Sequence, residues 1–109
     1  MKTAIVNIGQ IISGDWRYPI IPGGSILLEG ELIHKVGEAT GSEIYNSDVM
    51  IDAGGSIAVP GLIDSHVHIT FGDYTPRQNT VGYLHSYLHG GVTTCISASE
   101  VHVPGRPTD

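Results

Sequence analysis

The sequence has a single cysteine, Cys95, and few basic residues. No disulfide can form within a chain that has one cysteine, which favours a reducing compartment. The chain has 5 Lys and Arg residues and 11 Asp and Glu residues, so the net charge is −6. Because the chain also lacks a basic run, we expect neither nucleic acid nor an anionic membrane surface as a partner.

Long apolar runs are missing as well. No stretch approaches the roughly 18 residues that a membrane-spanning helix needs. The N-terminal segment MKTAIVNIGQII is interrupted by Asn7, Gly9 and Gln10, and no small-residue cleavage pattern follows it. This composition argues against a signal peptide, and we expect a cytoplasmic protein.

The whole sequence has 15 glycines, and those in its first half divide that part into short β-rich segments. We predict strands at 3–8, 49–52 and 56–59, and a hairpin over 25–37 whose turn is centred on Glu29-Gly30. Pro19 and Pro22 exclude a central strand from the loop 14–24.

The pattern changes after Pro60, where a near-continuous apolar strand is predicted over 61–70. A helix follows, with Thr75 as N-cap and Gly90-Gly91 as its end. Its apolar positions Val81, Leu84 and Leu88 form one stripe. A second β-branched strand is predicted over 92–97, and a strand–helix–strand order predicts two parallel strands.

Residues 59–69 read VPGLIDSHVHI, with polar residues at every second position. Side chains alternate across a strand, so Asp64, His66 and His68 share one face of it. The two histidine Cα atoms would lie about 6.8 Å apart on that face. Two imidazoles at this spacing can bind one metal ion, although histidines that are merely hydrogen-bonded at a strand end would give the same H-x-H pattern.

The longer motif PGLIDSHVH (60–68) resembles the signature of the amidohydrolase superfamily, metal-dependent hydrolases built on a (β/α)8 barrel. The passage IDAGGSIAVPGLID (51–64) resembles the junction between the superfamily's small β-sandwich and its barrel. The segments GDYTPRQ (72–78), LHGGVTT (88–94) and PGRPTD (104–109) resemble the enamidase branch, which opens a cyclic enamide.

This resemblance implies a β-rich N-terminal part, a partial β-sandwich over residues 1–58. Residues 59–109 would be the first strand–helix–strand of an α/β barrel of the TIM type, and the barrel is incomplete. A full barrel takes about 250 residues.

The resemblance also implies that His66 and His68 are metal ligands, with zinc or iron as the cofactor and one or two ions in the full-length enzyme. Asp64 would orient a ligand histidine, or act as a buried structural hydrogen-bonding group. Arg77 could bind a substrate carboxylate, and His102 could line the mouth of the active site. The alternative for each is an ordinary surface residue without a role in the site. The i, i+4 spacing of His85 and His89 on the helix makes them a second possible metal pair, although a surface role or an interaction with the C-terminal helix dipole is favoured for them.

The function implied is hydrolysis of a C–N bond in a cyclic amide or enamide, a small-molecule substrate. Alternatives within the superfamily are a dihydroorotase-like, hydantoinase-like or imidazolonepropionase-like hydrolase. An alternative of a different class is a non-catalytic β-sandwich assembly module whose histidines are structural. We also expect a homo-oligomer, because two strands alone cannot cover the apolar strand 61–70.

We predict that the 109-residue chain alone does not turn over substrate, because the remaining ligands and the catalytic residues are expected on later barrel strands. A catalytic zinc site typically has three protein ligands. The check is an assay of the purified chain on lactams and cyclic imides. Turnover that a chelator abolishes would refute the prediction.

Overall fold

The computed structural model describes residues 1–68 and 80–97, and it gives the backbone but not the side chain of Thr80. The chain divides into two compact units, Met1–Pro60 and Gly61–Asp109. Among the helices of the described residues, none is long and apolar enough to cross a membrane.

The first unit is β-rich, as predicted, and its strands form two mixed sheets. Its elements are β1 (Lys2–Val6), β2 (Gln10–Ile12), β3 (Ile20–Ile21), β4 (Ser25–Glu29), β5 (Leu32–Gly37), α1 (Gly41–Tyr45), β6 (Val49–Asp52) and β7 (Ile57–Ala58). One sheet has the order β5-β4-β1-β6 and the other the order β3-β2-β7. In each sheet one pairing is parallel, β1 with β6 and β2 with β7.

The core of the first unit is small. Ala4, Ile8, Ile11 and Leu27 are its buried apolar residues among those described. Ser25 is buried beside them, and its hydroxyl donates to the Gly37 carbonyl and accepts from the Ala39 N–H. The buried hydroxyl therefore both donates and accepts a hydrogen bond, which removes most of the free-energy penalty for burying it.

The predicted hairpin is confirmed as β4 and β5, with a turn one residue later than expected. Glu29 pairs with Leu32, so the turn residues are Gly30 and Glu31. Gly30 has φ of +60° and takes the position that only glycine adopts without strain. The expectation about the proline loop also holds, because β3 is a two-residue strand at the edge of its sheet.

Helix α1 was not predicted. It begins with a capping box: the Thr40 side chain accepts from the Glu43 N–H, and the Glu43 carboxylate accepts from the Thr40 N–H. Lys35 of β5 donates to the same carboxylate at 2.9 Å. These partners lower the pKa of Glu43 from 4.5 to about 2, mainly through the Thr40 backbone and then through Lys35.

The second unit contains β8 (Leu62–Val67), α2 (Thr80–His89) and β9 (Val92–Ser97). The two strands are parallel, as the strand–helix–strand order predicted. Helix α2 ends as predicted: the Gly90 N–H donates to Ser86, and Gly91 adopts φ of +94°. The predicted helix start at Thr75 lies outside the described residues.

The predicted apolar stripe of α2 does not form a buried face. Val81, Leu84 and Leu88 are all exposed, Val81 by 64%. The half-buried residues are Tyr83 and Tyr87, which lie one turn apart on an adjoining face of the helix. The prediction was wrong because it counted aliphatic side chains, whereas two tyrosines supply the inward face.

The capping box gives a prediction for pH. The pKa of Glu43 is lower in the folded state, so its contribution to stability is complete above about pH 4.5 and is lost as pH falls toward 2. In Glu43→Gln we expect lower stability than wild type above pH 4.5, with the two proteins converging near pH 2. Urea unfolding at several pH values measures this.

The matched control is Glu31→Gln, which changes an exposed carboxylate in the hairpin turn. We expect this variant to follow wild type over the same pH range. If the loss of stability in Glu43→Gln stayed constant from pH 2 to pH 6, the charge of Glu43 would not be what stabilises the cap.

Candidate metal centre

Strand β8 is irregular at the position of the histidines. Asp64 pairs with Cys95 and Val67 pairs with Ser97, so two residues of β8 lie opposite one residue of β9. This is a β-bulge, which bends the strand and re-aims its side chains. The bulge contains Ser65 and His66, and the His66 N–H donates to the Asp64 carboxylate at 3.1 Å.

His66 lies in β8, and His68 follows directly after the last residue of this strand. Their ring centroids are 5.4 Å apart and their planes are inclined by 79°. Val67, between them, is only 5% exposed, so the chain still alternates between an inner and an outer side here. Both histidines are exposed to solvent in the described structure.

The ring separation fits a shared metal ion. A zinc–nitrogen bond of about 2.0 Å places the metal about 3.2 Å from the centroid of a bound imidazole, and a tetrahedral angle then separates two such centroids by about 5.2 Å. The observed 5.4 Å agrees with this value. Neutral imidazole is also a preferred ligand for Zn, Fe, Ni and Cu.

Asp64 has a partner for each carboxylate oxygen. Oδ1 accepts from the His66 backbone N–H, and Oδ2 accepts from the Tyr87 hydroxyl at 2.7 Å. The hydrogen bond from Tyr87, and then that from His66, lowers the pKa of Asp64. Asp64 therefore reaches the histidine pair through the backbone of β8.

Tyr87 is a site residue that the sequence analysis missed. Its ring lies against that of Tyr83, with centroids 4.5 Å apart. Hydrogen bonding with Tyr83 and with Asp64 raises the pKa of Tyr87, so its hydroxyl stays protonated and donates. The i, i+4 spacing of the two tyrosines was the available signal, but nothing in it indicates a bond to Asp64.

Gly61 of the PGLIDSHVH motif has a packing role. A Cβ atom added at Gly61 would collide with the side chain of Thr93, including its Oγ1 and Cβ atoms. Only glycine therefore lets the start of β8 approach β9 this closely.

The structure describes only some of the other predicted site residues. Arg77 and His102 lie outside the described residues. His85 and His89 are exposed on α2. Within residues 1–68 and 80–97, no group of three or more His, Cys, Asp or Glu side chains could hold a metal ion. The described part of the chain therefore presents candidate ligands in pairs and not in threes.

Known proteins support the predicted resemblance. The chain is 48% identical to the enamidase of Eubacterium barkeri over 108 residues, which is 99% of this chain and 28% of the enamidase. It is 31% identical over 100 residues to the imidazolonepropionase of Arthrobacter sp. (strain FB24), covering 91% of this chain and 24% of that protein. No family model matches the chain.

A solved structure agrees with the sequence comparison. The crystal structure of enamidase, described as a member of the amidohydrolase superfamily, matches 100% of this chain and 28% of its own, with a TM-score of 0.76 and 49% identity. The chain is therefore related to the amidohydrolase superfamily, as the motif predicted. Within that superfamily, its similarity to enamidase extends over the whole chain. It spans about a quarter of the length of these relatives.

The close approach at Gly61 gives a prediction for stability. Gly61→Ala forces β8 away from Thr93, and overpacking of this kind costs about 1–3 kcal/mol. Gly41→Ala is the control, because a Cβ at Gly41 in helix α1 meets no atom within 4 Å. We expect the control to be neutral or slightly stabilising, since alanine favours helix.

Urea unfolding followed by circular dichroism compares the two variants. If Gly61→Ala were as stable as Gly41→Ala, the approach of the two strands at this point would not be as close as the structure has it.

Proposed function

We propose that the chain is part of a metal-dependent hydrolase that opens a C–N bond in a cyclic amide or enamide. In this proposal residues 1–58 form a β-sandwich-like portion, and residues 59–109 form the first strand–helix–strand of a barrel. The division after Pro60 and the parallel pairing of β8 with β9 support this arrangement. The similarity to enamidase supports the enamide as the substrate class.

The observation that carries the proposal is the 5.4 Å separation of two imidazoles on one side of β8. His66 and His68 would supply two nitrogen ligands to a divalent ion, zinc or iron, with one or two ions in the full-length enzyme. A metal bound there supplies Lewis acidity, which polarises a carbonyl and makes water more acidic. What β8 itself would contribute is orientation, because a bulge re-aims the side chains beside it and the buried Val67 anchors the chain between the two histidines.

Two ligands do not complete a catalytic metal site, which typically takes three from the protein. The proposal therefore requires further ligands outside the described residues. It also requires that the exposed sides of His66 and His68 be covered, since catalysis at a metal depends on a shaped cavity that excludes bulk water. Roles for Arg77 with a substrate carboxylate and for His102 at the site mouth stay predictions.

A second hydrolase has support from a specific similarity. The 31% identity to an imidazolonepropionase extends over 91% of this chain. The ring opened could therefore be that of a different cyclic amide, with the same pair of histidines on β8. Both candidates share the reaction class and the metal ligands, and they differ only in the substrate.

Self-association is a further proposal about partners. Both strands of the second unit expose apolar side chains, among them Leu62 by 57%, Ile63 by 67% and Ile96 by 54%. Exposed apolar patches of this kind are typical of contact surfaces. A homo-oligomer would cover them, and light scattering that found only monomer would argue against it.

The histidine pair gives a direct prediction. Isothermal titration of the chain with Zn²⁺ should show stoichiometric binding that is lost in the double variant His66→Ala, His68→Ala. His34→Ala and His85→Ala are the matched controls, since each removes one exposed histidine from another element. We expect both controls to bind zinc as wild type does.

Two outcomes would contradict the proposal. Loss of binding in His85→Ala would move the metal to the helix pair of His85 and His89. Absence of binding in wild type, with unchanged stability in the double variant, would favour the non-catalytic module instead.

A further inference from the structure

The hydroxyl of Tyr87 reaches across from α2 to the strand that carries the histidine pair. It donates to Asp64 Oδ2 at 2.7 Å, and the ring that carries it is half-buried against Tyr83. A short hydrogen bond to an ionised acceptor is stronger than one between neutral groups. Tyr87 therefore holds the Asp64 side chain in one orientation.

That orientation decides where the other carboxylate oxygen lies. With Oδ2 on Tyr87, Oδ1 meets the His66 N–H at 3.1 Å. This N–H belongs to one of the two bulge residues that stand opposite a single residue of β9. The extra residue of a bulge is left unpaired in the strand ladder, so a side-chain acceptor is what satisfies its backbone.

The bulge in turn sets the direction of the His66 ring. A bulge re-aims the side chains beside it, and here the ring of His66 stands 5.4 Å from that of His68. If the carboxylate turned away, the His66 N–H would lose its acceptor and the bulge could relax. The spacing of the two rings would then no longer be fixed.

We propose that Tyr87 is a positioning residue for the metal-binding pair His66 and His68, acting through Asp64 and the backbone of the bulge. The inference rests on the proposed function, because it takes the two histidines to be metal ligands. The inference adds a residue of helix α2 to the site. It also means that Asp64 would act on the ligand His66 through the backbone N–H of that residue.

The test is a double-mutant cycle for zinc affinity, made in the His85→Ala background so that the helix pair cannot contribute. Tyr87→Phe removes the hydroxyl and keeps the ring, and Asp64→Asn removes the charge and keeps the shape. Loss of a group that supports a metal ligand typically weakens affinity by about 10- to 100-fold. We expect each single variant to lose about tenfold or more, and the double variant to lose little beyond either one.

Tyr45→Phe is the matched control, since Tyr45 is 86% exposed in α1 and lies in the first unit. It should bind zinc as the background protein does. A second readout, made without metal, is hydrogen exchange at the His66 amide. We expect faster exchange there in Tyr87→Phe, with the exchange of amides in β1 and β4 unchanged.

The outcomes separate this inference from the proposed function. If the background protein does not bind zinc through His66 and His68, the proposed function fails. If it binds, and Tyr87→Phe has the background affinity, the inference alone is overturned. Additive losses in the double variant, or unchanged exchange at His66 in a folded Tyr87→Phe, would also overturn it.

Discussion

The carboxylate of Asp64 joins the elements that make the candidate site. One of its oxygens accepts a hydrogen bond from the Tyr87 hydroxyl of α2, and the other accepts one from the backbone N–H of His66. Asp64 also pairs with Cys95 of β9, so the same residue links the helix, the bulge and the parallel ladder. In our proposal the spacing of the two imidazoles depends on this arrangement, because the bulge between Asp64 and Val67 is where the strand departs from regular pairing.

The candidate site is open to solvent, and it has fewer candidate ligands than a catalytic metal site typically takes. Val67 is buried at the end of β8, whereas His66 and His68 are exposed, and several apolar residues of β8 and β9 are exposed too. Parallel strands are normally covered on both faces. The chain spans about a quarter of the length of the enzymes to which it is similar. In the proposed enzyme, a catalytic cavity would need additional surfaces around the two histidines.

Much of the backbone could be predicted from local sequence. Glycines marked the turn at Gly30 and the end of α2 at Gly91, since both adopt positive φ that other residues avoid. Alternation placed the two histidines on one side of β8, and the strand–helix–strand order predicted the parallel pair. These features follow from one segment at a time, which is why a single sequence sufficed. The motif PGLIDSHVH carried the resemblance to the superfamily, which the comparisons confirm.

The features that were missed depend on contacts between segments, or on a signal too short to stand out. Helix α1 has one turn and a capping box, T-G-S-E, but it lacks an apolar stripe, and Lys35 stabilises its Glu43 from another strand. The bulge in β8 arises from its pairing with β9, and the hydrogen bond from Tyr87 to Asp64 joins residues 23 positions apart. Aliphatic periodicity selected the wrong face of α2, because the tyrosines that pack inward are polar at their tips.

The account depends most on His66 and His68 sharing one metal ion. X-ray absorption at the zinc edge, on the zinc-loaded His85→Ala protein, tests this directly. The account predicts scattering from two imidazole rings with zinc–nitrogen distances of about 2.0 Å, and its loss when both strand histidines are replaced. A spectrum that shows only water oxygens around zinc, or one that the replacement leaves unchanged, would contradict it.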